Sequence, residues 1–397
     1  MRLLFVHDHR FLVGEARSIF TSGSLPAHVW PRYLEHFGGL HVLARHGGPP
    51  QPGHQPALSS HPAVRFDLVE NLGTYRQQLL RPKALGERVR AAVEGSSAAL
   101  IRLPSELGFL AAAACERRGK PYAVELVGCA FDGMRNHGSL AGRLYAPFFY
   151  RRTRKAVGRA PLVLYVTERW LQQRYPAGGH AYAASDVEIA PMTPEDLEAR
   201  RERLRRIAAG EWPVLGTVAS LRIRSKGIQT ALAALGSLRS QGFELRYRLL
   251  GTGDPAPWEE LASEHGIADL VSFDGVRPAG EGVRSWLDGI DIHLQPSFQE
   301  GLPRATIEAM SRGVACIGST CGGIPELIGR GRLHRPGDAL ALAGRIQDLA
   351  TDPEKLAEAS ARDLEGSLRF DPQRLGEIRS AFLAELAAMA RAAAATA

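Results

Sequence analysis

Two glutamates stand eight residues apart in Pro296–Leu327, PSFQEGLPRATIEAMSRGVACIGSTCGGIPEL. Pro303 suits the first position of a helix, and Gly313 is placed to end it. Glu300 then lies at the mouth of the helix and Glu308 about two turns along it. At ~1.5 Å per residue the carboxylates are roughly 12 Å apart along the axis. An acid/base pair acting on one bond needs roughly 5–9.5 Å, so this spacing suits gripping two ends of an elongated ligand instead. The backbone N–H groups of Gly301 and Leu302 point out of the helix start, where the dipole favours an anion. A diphosphate there, with a sugar hydroxyl on Glu300 and a ribose on Glu308, fits a nucleoside-diphosphate sugar.

The elements that must position these residues show one rhythm in both halves of the chain. Short apolar runs at Leu3–His7, His41–Ala44, Val64–Val69, Tyr122–Val127 and Leu162–Val166 alternate with longer segments of helical pattern. The second half repeats this with Val214–Leu221, Tyr247–Leu250, Val271–Asp274, Asp291–Gln295 and Val314–Ser319. Such alternation predicts an α/β fold with parallel sheets covered by helices on both faces. The fold expected is therefore two Rossmann-like domains facing a cleft. The densely charged stretch MTPEDLEARRERLRRIAAGEW places the boundary at about residue 205. This gives domains over 1–205 and 206–370, followed by a long C-terminal helix over 371–397 that returns to the N-terminal domain.

Glu300-x7-Glu308, the flanking PS…EGLP…IEAM…G and the GGIPEL that follows resemble the signature of family-4 glycosyltransferases. The match is nearly continuous over this stretch, weaker over the rest of the C-terminal half, and one of layout alone over the N-terminal half. The resemblance implies the GT-B architecture and retaining transfer of a sugar from a nucleoside-diphosphate sugar, without a metal ion or other cofactor. It also implies roles for a second element, VASLRIRSKG over Val218–Gly227. There the family's Gly-Arg is replaced by Ala219-Ser220, while Lys226-Gly227 matches, so Lys226 with Arg222 or Arg224 is expected to neutralise the donor diphosphate. Gly251 and Gly253 resemble the glycine-rich turn of the donor domain, and Val276 and Arg277 the strand end whose backbone meets the base. In the N-terminal half Gly23 and Ser24, with Gly14 second, are the counterparts of the glycine loop that contacts the donor phosphates. The family's histidine after the strand at 122–127 is absent, and Asp132 or His137 takes its place on the acceptor side.

Composition narrows the function classes further. A charged fraction of 23% beside 45% hydrophobic residues belongs to a globular enzyme. The net charge of +7 favours acidic partners. Six basic and no acidic residues occur in LAGRLYAPFFYRRTRKAVGRA, interleaved with Tyr145, Phe148, Phe149 and Tyr150. This basic aromatic segment reads either as a peripheral contact with an anionic membrane through 140–160 or as a core helix with a solvated basic face. No nucleic-acid motif is present. Cys115, Cys129, Cys316 and Cys321 have neither metal-finger nor disulfide-scaffold spacing, and the N-terminus lacks a signal-peptide core, which predicts a cytoplasmic protein. The activity expected is hexosyl transfer from a UDP- or GDP-sugar to a glycan or lipid-linked acceptor. A sugar-nucleotide epimerase, a phosphorylase or a non-catalytic nucleotide-sugar-binding module is the alternative.

Overall fold

The computed structural model describes residues 1–23, 25–50, 56–70, 82–135 and 139–396. The chain divides into two units, 1–184 with 376–397 and 185–375. In the first, seven parallel strands lie in the spatial order Val64–Val69, Gly39–His46, Arg2–Val13, Ala98–Leu103, Tyr122–Leu126, Leu162–Tyr165 and His180–Ala183. The central strands are buried along their whole length because helices cover both faces, and they are apolar apart from the ion-paired Arg102 and Glu125.

Two features of this unit differ from the sequence expectation. The strand Ala98–Leu103 was not anticipated. It lies between the helices Pro82–Glu94 and Glu106–Arg118, and its Ser-Ala-rich start lets the whole stretch read as helix. The first strand also runs on to Val13, where Leu12 and Val13 pair antiparallel with Phe20 and Ile19. A hairpin therefore replaces the expected open loop. Gly14 is its turn residue, donating to Ser18 O over 2.9 Å. A Cβ at Gly14 would meet the Phe20 ring at 2.7 Å, so packing explains this glycine. Beyond the hairpin the chain forms a 3-10 turn at Ala27–Val29 followed by the short helix Pro31–Leu34.

The second unit is a six-stranded, wholly parallel sheet in the order Val271–Phe273, Tyr247–Leu250, Leu215–Val218, Ile292–Gln295, Ala315–Ser319 and Leu333–His334. Chain progression runs outward from Leu215–Val218 in one direction, then restarts on its other side at Ile292–Gln295. The carboxyl ends of these two neighbours form the topological switch point, where the divergent connections open a crevice. Helices Ile228–Ser240 and Ala339–Ala350 cover one face, with Ile228, Leu232, Leu235, Leu342 and Ile346 buried against Leu249, Leu294 and Ile317.

The division at 184/185 falls well ahead of the boundary expected near 205. The charged helix Pro194–Ala208 belongs wholly to the second unit, started by a Thr193–Asp196 capping box. Its Arg200 is buried and donates to Arg312 O over 3.0 Å and to Ile290 O over 2.8 Å. Local charge had marked a domain boundary, but one of those charges is a core tie. The expected C-terminal helix spans Pro372–Ala395, and from Gly376 onward it counts with the first unit. There Arg379 Nη1 donates to buried Glu125 Oε1 over 3.0 Å.

Candidate active site

The site is assembled from the two loops at the switch point of the second unit. After Leu215–Val218 the chain passes through Ala219–Ile223 and a 3-10 turn at Arg224–Lys226, then enters the next helix at Gly227. Gly227 has φ 80°, and a Cβ there would lie 2.0 Å from Pro296 O. Only glycine allows the backbone after the first strand to touch the backbone after the fourth. Phe298 N donates to Ser225 O over 2.8 Å across the same seam.

That contact places Lys226 against Glu300, with Nζ donating to Oε1 over 2.7 Å. The same oxygen accepts from Gln295 Nε2 over 2.9 Å and from Ser297 Oγ over 2.8 Å. Gln295 is in turn held from below, its Oε1 accepting from Thr306 Oγ1 over 3.2 Å, with His293 Nε2 at the same distance. One carboxylate oxygen is thus saturated, while Oε2 takes no hydrogen bond among the described residues. Lys226 carries three N–H donors and spends one here, which leaves cationic donors beside an open carboxylate oxygen.

Gly322 and Gly323 hold this loop from the other side. A Cβ at Gly322, whose φ is 59°, would lie 2.1 Å from Glu300 O, and one at Gly323 would lie 2.6 Å from Gly301 O. Gly323 N donates to Gly301 O over 2.7 Å. The helix spans Arg304–Ser311, so Pro303 is its N-cap rather than its first residue, and Gly313 ends it with φ 61°. Glu300 is therefore a loop residue ahead of the helix, while Glu308 lies within it. Burial pushes the Glu308 carboxyl above its ordinary pKa, opposed by Arg304 and Arg284. Its nearest ion-pair partner, Arg304 Nη1, is 3.9 Å away. A mostly buried carboxylate with so little compensation is well prepared to accept hydroxyl groups.

The two arginines of the loop differ. Arg224 lies over the Trp258 ring at 5.7 Å, whereas Arg222 is exposed and has no ion pair among the described residues. Gly251 and Gly253 line the underside of this loop. A Cβ at Gly251 would lie 1.8 Å from Ala219 O, and one at Gly253 would meet Arg222 N at 3.0 Å. Close backbone packing accounts for both glycines. Asp274, just ahead of Val276 and Arg277, is bound by Arg248 Nη2 at 2.6 Å and Trp286 Nε1 at 2.6 Å, leaving Val276 and Arg277 exposed in the loop after the strand.

In the first unit Gly23 has φ 113°, while Ser24 and His137 lie outside the described residues. Asp132 Oδ2 accepts from Arg174 Nη1 over 3.1 Å, which gives it a structural role in its helix. Sequence reasoning missed Asp8 and Glu106. They flank the switch point of this sheet and line a cavity of about 320 Å³ with Cys129, Met134, Tyr145 and Phe149. Asp8 Oδ2 accepts from Glu106 N over 2.5 Å, and Oδ1 from Arg45 Nε over 2.8 Å. Glu106 accepts from Tyr145 OH and Arg152 Nη1, each over 2.8 Å. The signal was obscured because Glu106 follows the strand that was read as helix.

Residues 212–352, which carry Lys226, Glu300 and Glu308, match the family profile described as Glycosyl transferases group 1. Over that stretch the chain resembles the glycosyl transferases of group 1. It is 28% identical to Protein CapJ of Staphylococcus aureus over 87% of this chain and 85% of that one. Over a shorter stretch, 32% of this chain and 33% of the relative, it is 37% identical to the amylovoran biosynthesis glycosyltransferase AmsK of Erwinia amylovora. Alr3699/HepE of Anabaena, solved in complex with UDP, superposes with a TM-score of 0.64 over 95% of this chain and 98% of that chain, at 17% identity. The architecture is GT-B, built from two doubly wound parallel-sheet units. Among the described residues no helix is long and apolar enough to cross a membrane.

Proposed function

We propose that this glycosyltransferase moves a hexosyl group from a UDP- or GDP-sugar to a glycan or lipid-linked acceptor with retention at the anomeric carbon. The observation that carries the reading is Glu300, held by three donors on Oε1 and open at Oε2 beside Lys226. In this reading Oε2 accepts a hydroxyl of the donor sugar, Glu308 the ribose hydroxyls, and Lys226 with Arg222 the diphosphate. Gly301 and Leu302 add backbone N–H donors to the same anion. As the bond from anomeric carbon to phosphate oxygen breaks, its electron pair passes to the diphosphate, where these fixed cations stabilise the developing charge. The acceptor oxygen bonds to the same face of the carbon and passes its proton to the departing diphosphate, which preserves configuration. The cations of the loop serve in place of a metal ion.

The UDP complex of HepE supports a uridine donor, and the amylovoran role of AmsK supports a polysaccharide or glycoconjugate product. The acceptor side of the reading lies on the first unit, at the cavity of Asp8 and Glu106. A cytoplasmic catalyst in peripheral contact with the membrane completes it.

Thermal unfolding with UDP, GDP, ADP and CMP tests the donor site. A ligand at ~100 times its dissociation constant adds about 2.7 kcal/mol of stability. One base standing out, followed by transfer from the matching sugar nucleotide and an NMR assignment of a retained anomer, is the expected result. No shift with any nucleotide overturns the reading. A shift with neither transfer nor donor hydrolysis leaves a binding module, and release of an altered donor without acceptor makes the chain an epimerase.

A further inference from the structure

The helix Leu140–Arg159 of the first unit is buried along one face and carries an exposed apolar stripe on the other. Ala146, Phe149, Thr153 and Val157 point into the core, where the Phe149 ring meets Phe109 edge-on at 5.5 Å. The packing that the fold requires is complete on that side. On the opposite side Leu140, Leu144 and Phe148 are 72%, 76% and 53% exposed. At intervals of four residues they share an arc of roughly 80°. Pro147 extends the same surface. Among the described residues the stripe meets only its own helix, with the Phe148 ring 5.3 Å from the Tyr145 ring and 5.6 Å from the Arg152 guanidinium, which leaves three large apolar side chains in a row facing water.

Charge surrounds this stripe with one sign only. The helix holds six basic residues and no acidic one. Two of the six are claimed inside the unit, Arg152 by Glu106 and Arg159 by Glu116. Arg143, Arg151, Arg154 and Lys155 are exposed and form no ion pair among the described residues. Arg143 flanks the stripe, and the other three follow it within two turns.

We infer that this helix docks the chain onto an anionic lipid surface, lying in the plane of the interface. Leu140, Leu144 and Phe148 enter the boundary between headgroups and acyl chains, and the four cations meet headgroup charge. An amphipathic helix with apolar side chains beside Lys and Arg has the chemistry for this seat. A second copy of the same face is disfavoured, because a two-fold interface would bring the four cations of each copy together. A nucleic acid would satisfy the cations while giving the leucines and phenylalanine no apolar environment.

Co-sedimentation with vesicles tests the inference. The chain is expected to bind phosphatidylcholine vesicles containing phosphatidylglycerol, to bind pure phosphatidylcholine far more weakly, and to be released as salt rises. Each cation contributes roughly five-fold in partitioning, so Arg151→Ser with Lys155→Ser should lower it about 25-fold. Leu144→Glu with Phe148→Glu should abolish it. A wild-type circular dichroism spectrum and unfolding midpoint without ligand report that each variant is folded, and Leu144→Ser replaces the double variant if these are lost. Absence of binding to anionic vesicles, or equal binding to neutral ones, overturns the inference. So does wild-type self-association that Leu144→Glu removes, since a second copy would then be the occupant. The readout does not involve the donor site, so failure here leaves the proposed transfer standing, and failure of the transfer assay leaves this surface standing.

Discussion

Lys226 Nζ lies 2.7 Å from Glu300 Oε1 although the two residues are 74 positions apart. The pair joins the two loops of the switch point, and Glu300 retains Gln295 and Ser297 as donors without the lysine. Lys226→Ala should therefore leave the unit folded and weaken binding of nucleoside diphosphate by about 1.5–3 kcal/mol, the worth of a hydrogen bond to a charged group. That is roughly ten- to a hundred-fold in Kd by calorimetry. Affinity equal to wild type in the folded variant would remove Lys226 from the diphosphate site.

Glu308 should make nucleotide affinity depend on pH. Burial raises its pKa above the ordinary value of 4.5. In the proposed reading the ionised carboxylate accepts ribose hydroxyl donors more strongly than the neutral acid, so affinity should fall as pH drops through that raised value, beginning above pH 4.5. Glu308→Gln should show weaker binding with this pH dependence flattened. The same burial has the opposite effect on folding. A carboxyl whose folded pKa is raised costs stability once it ionises, so removing the charge should make the protein slightly more stable near neutral pH. Calorimetric titrations with UDP and thermal unfolding over the acidic range check both halves.

Gly227→Ala should damage stability and the site together. The new Cβ would lie 2.0 Å from Pro296 O, and φ 80° is strained for any residue with a side chain. The backbone has to part at the seam that seats Lys226 beside Glu300. A loss of about 2 kcal/mol or more in unfolding free energy is expected, since an alanine that cannot adopt the native φ loses more than the ~1 kcal/mol a compatible one gains. Transfer activity should fall further than Lys226→Ala alone produces. A stable, fully active variant would contradict the close approach.

His293 should contribute acid sensitivity. It is fully buried beneath Gln295, and burial pushes its pKa from 6.5 down to about 4. The unfolded chain therefore takes up a proton that the folded chain refuses. Stability present above pH 6.5 is lost as pH falls from 6.5 towards 4, by about 3 kcal/mol in all. Denaturant titrations across this range should show the loss, and His293→Gln should reduce its slope by one proton. An unchanged slope would mean that His293 is protonated in the fold.

The loop that carries Glu300 was legible in the sequence because it sits in one contiguous segment. Glu300, Glu308, Gly322 and Gly323 all belong to Pro296–Leu327, where a strand end, a loop and a helix follow one another with short-range signals such as Pro303 and Gly313. The alternating layout was legible for the same reason, since apolar runs reflect burial on both faces of a parallel sheet. Where local composition misled, tertiary packing had overridden it. Ala98–Leu103 reads as helix yet forms a central strand between Arg2–Val13 and Tyr122–Leu126, and Arg200 reads as solvated yet is buried in the second unit.

The sequence by itself determined that two carboxylates, a lysine and a set of glycines were available for binding a nucleotide sugar. Only the tertiary structure decided which of them meet. Parallel pairing brings Gly216 beside His293, and this long-range register, not any local pattern, delivers Lys226 to Glu300. Pairing of Leu215–Val218 with Tyr247–Leu250 likewise gives Gly251 and Gly253 their task of letting strand ends pack backbone to backbone, and pairing of Arg2–Val13 with Ala98–Leu103 in the first unit sets Asp8 against Glu106. A residue type states what a side chain can do, but its partner is set by which strands lie side by side, and the pairing energy that settles this is shared across the whole sheet.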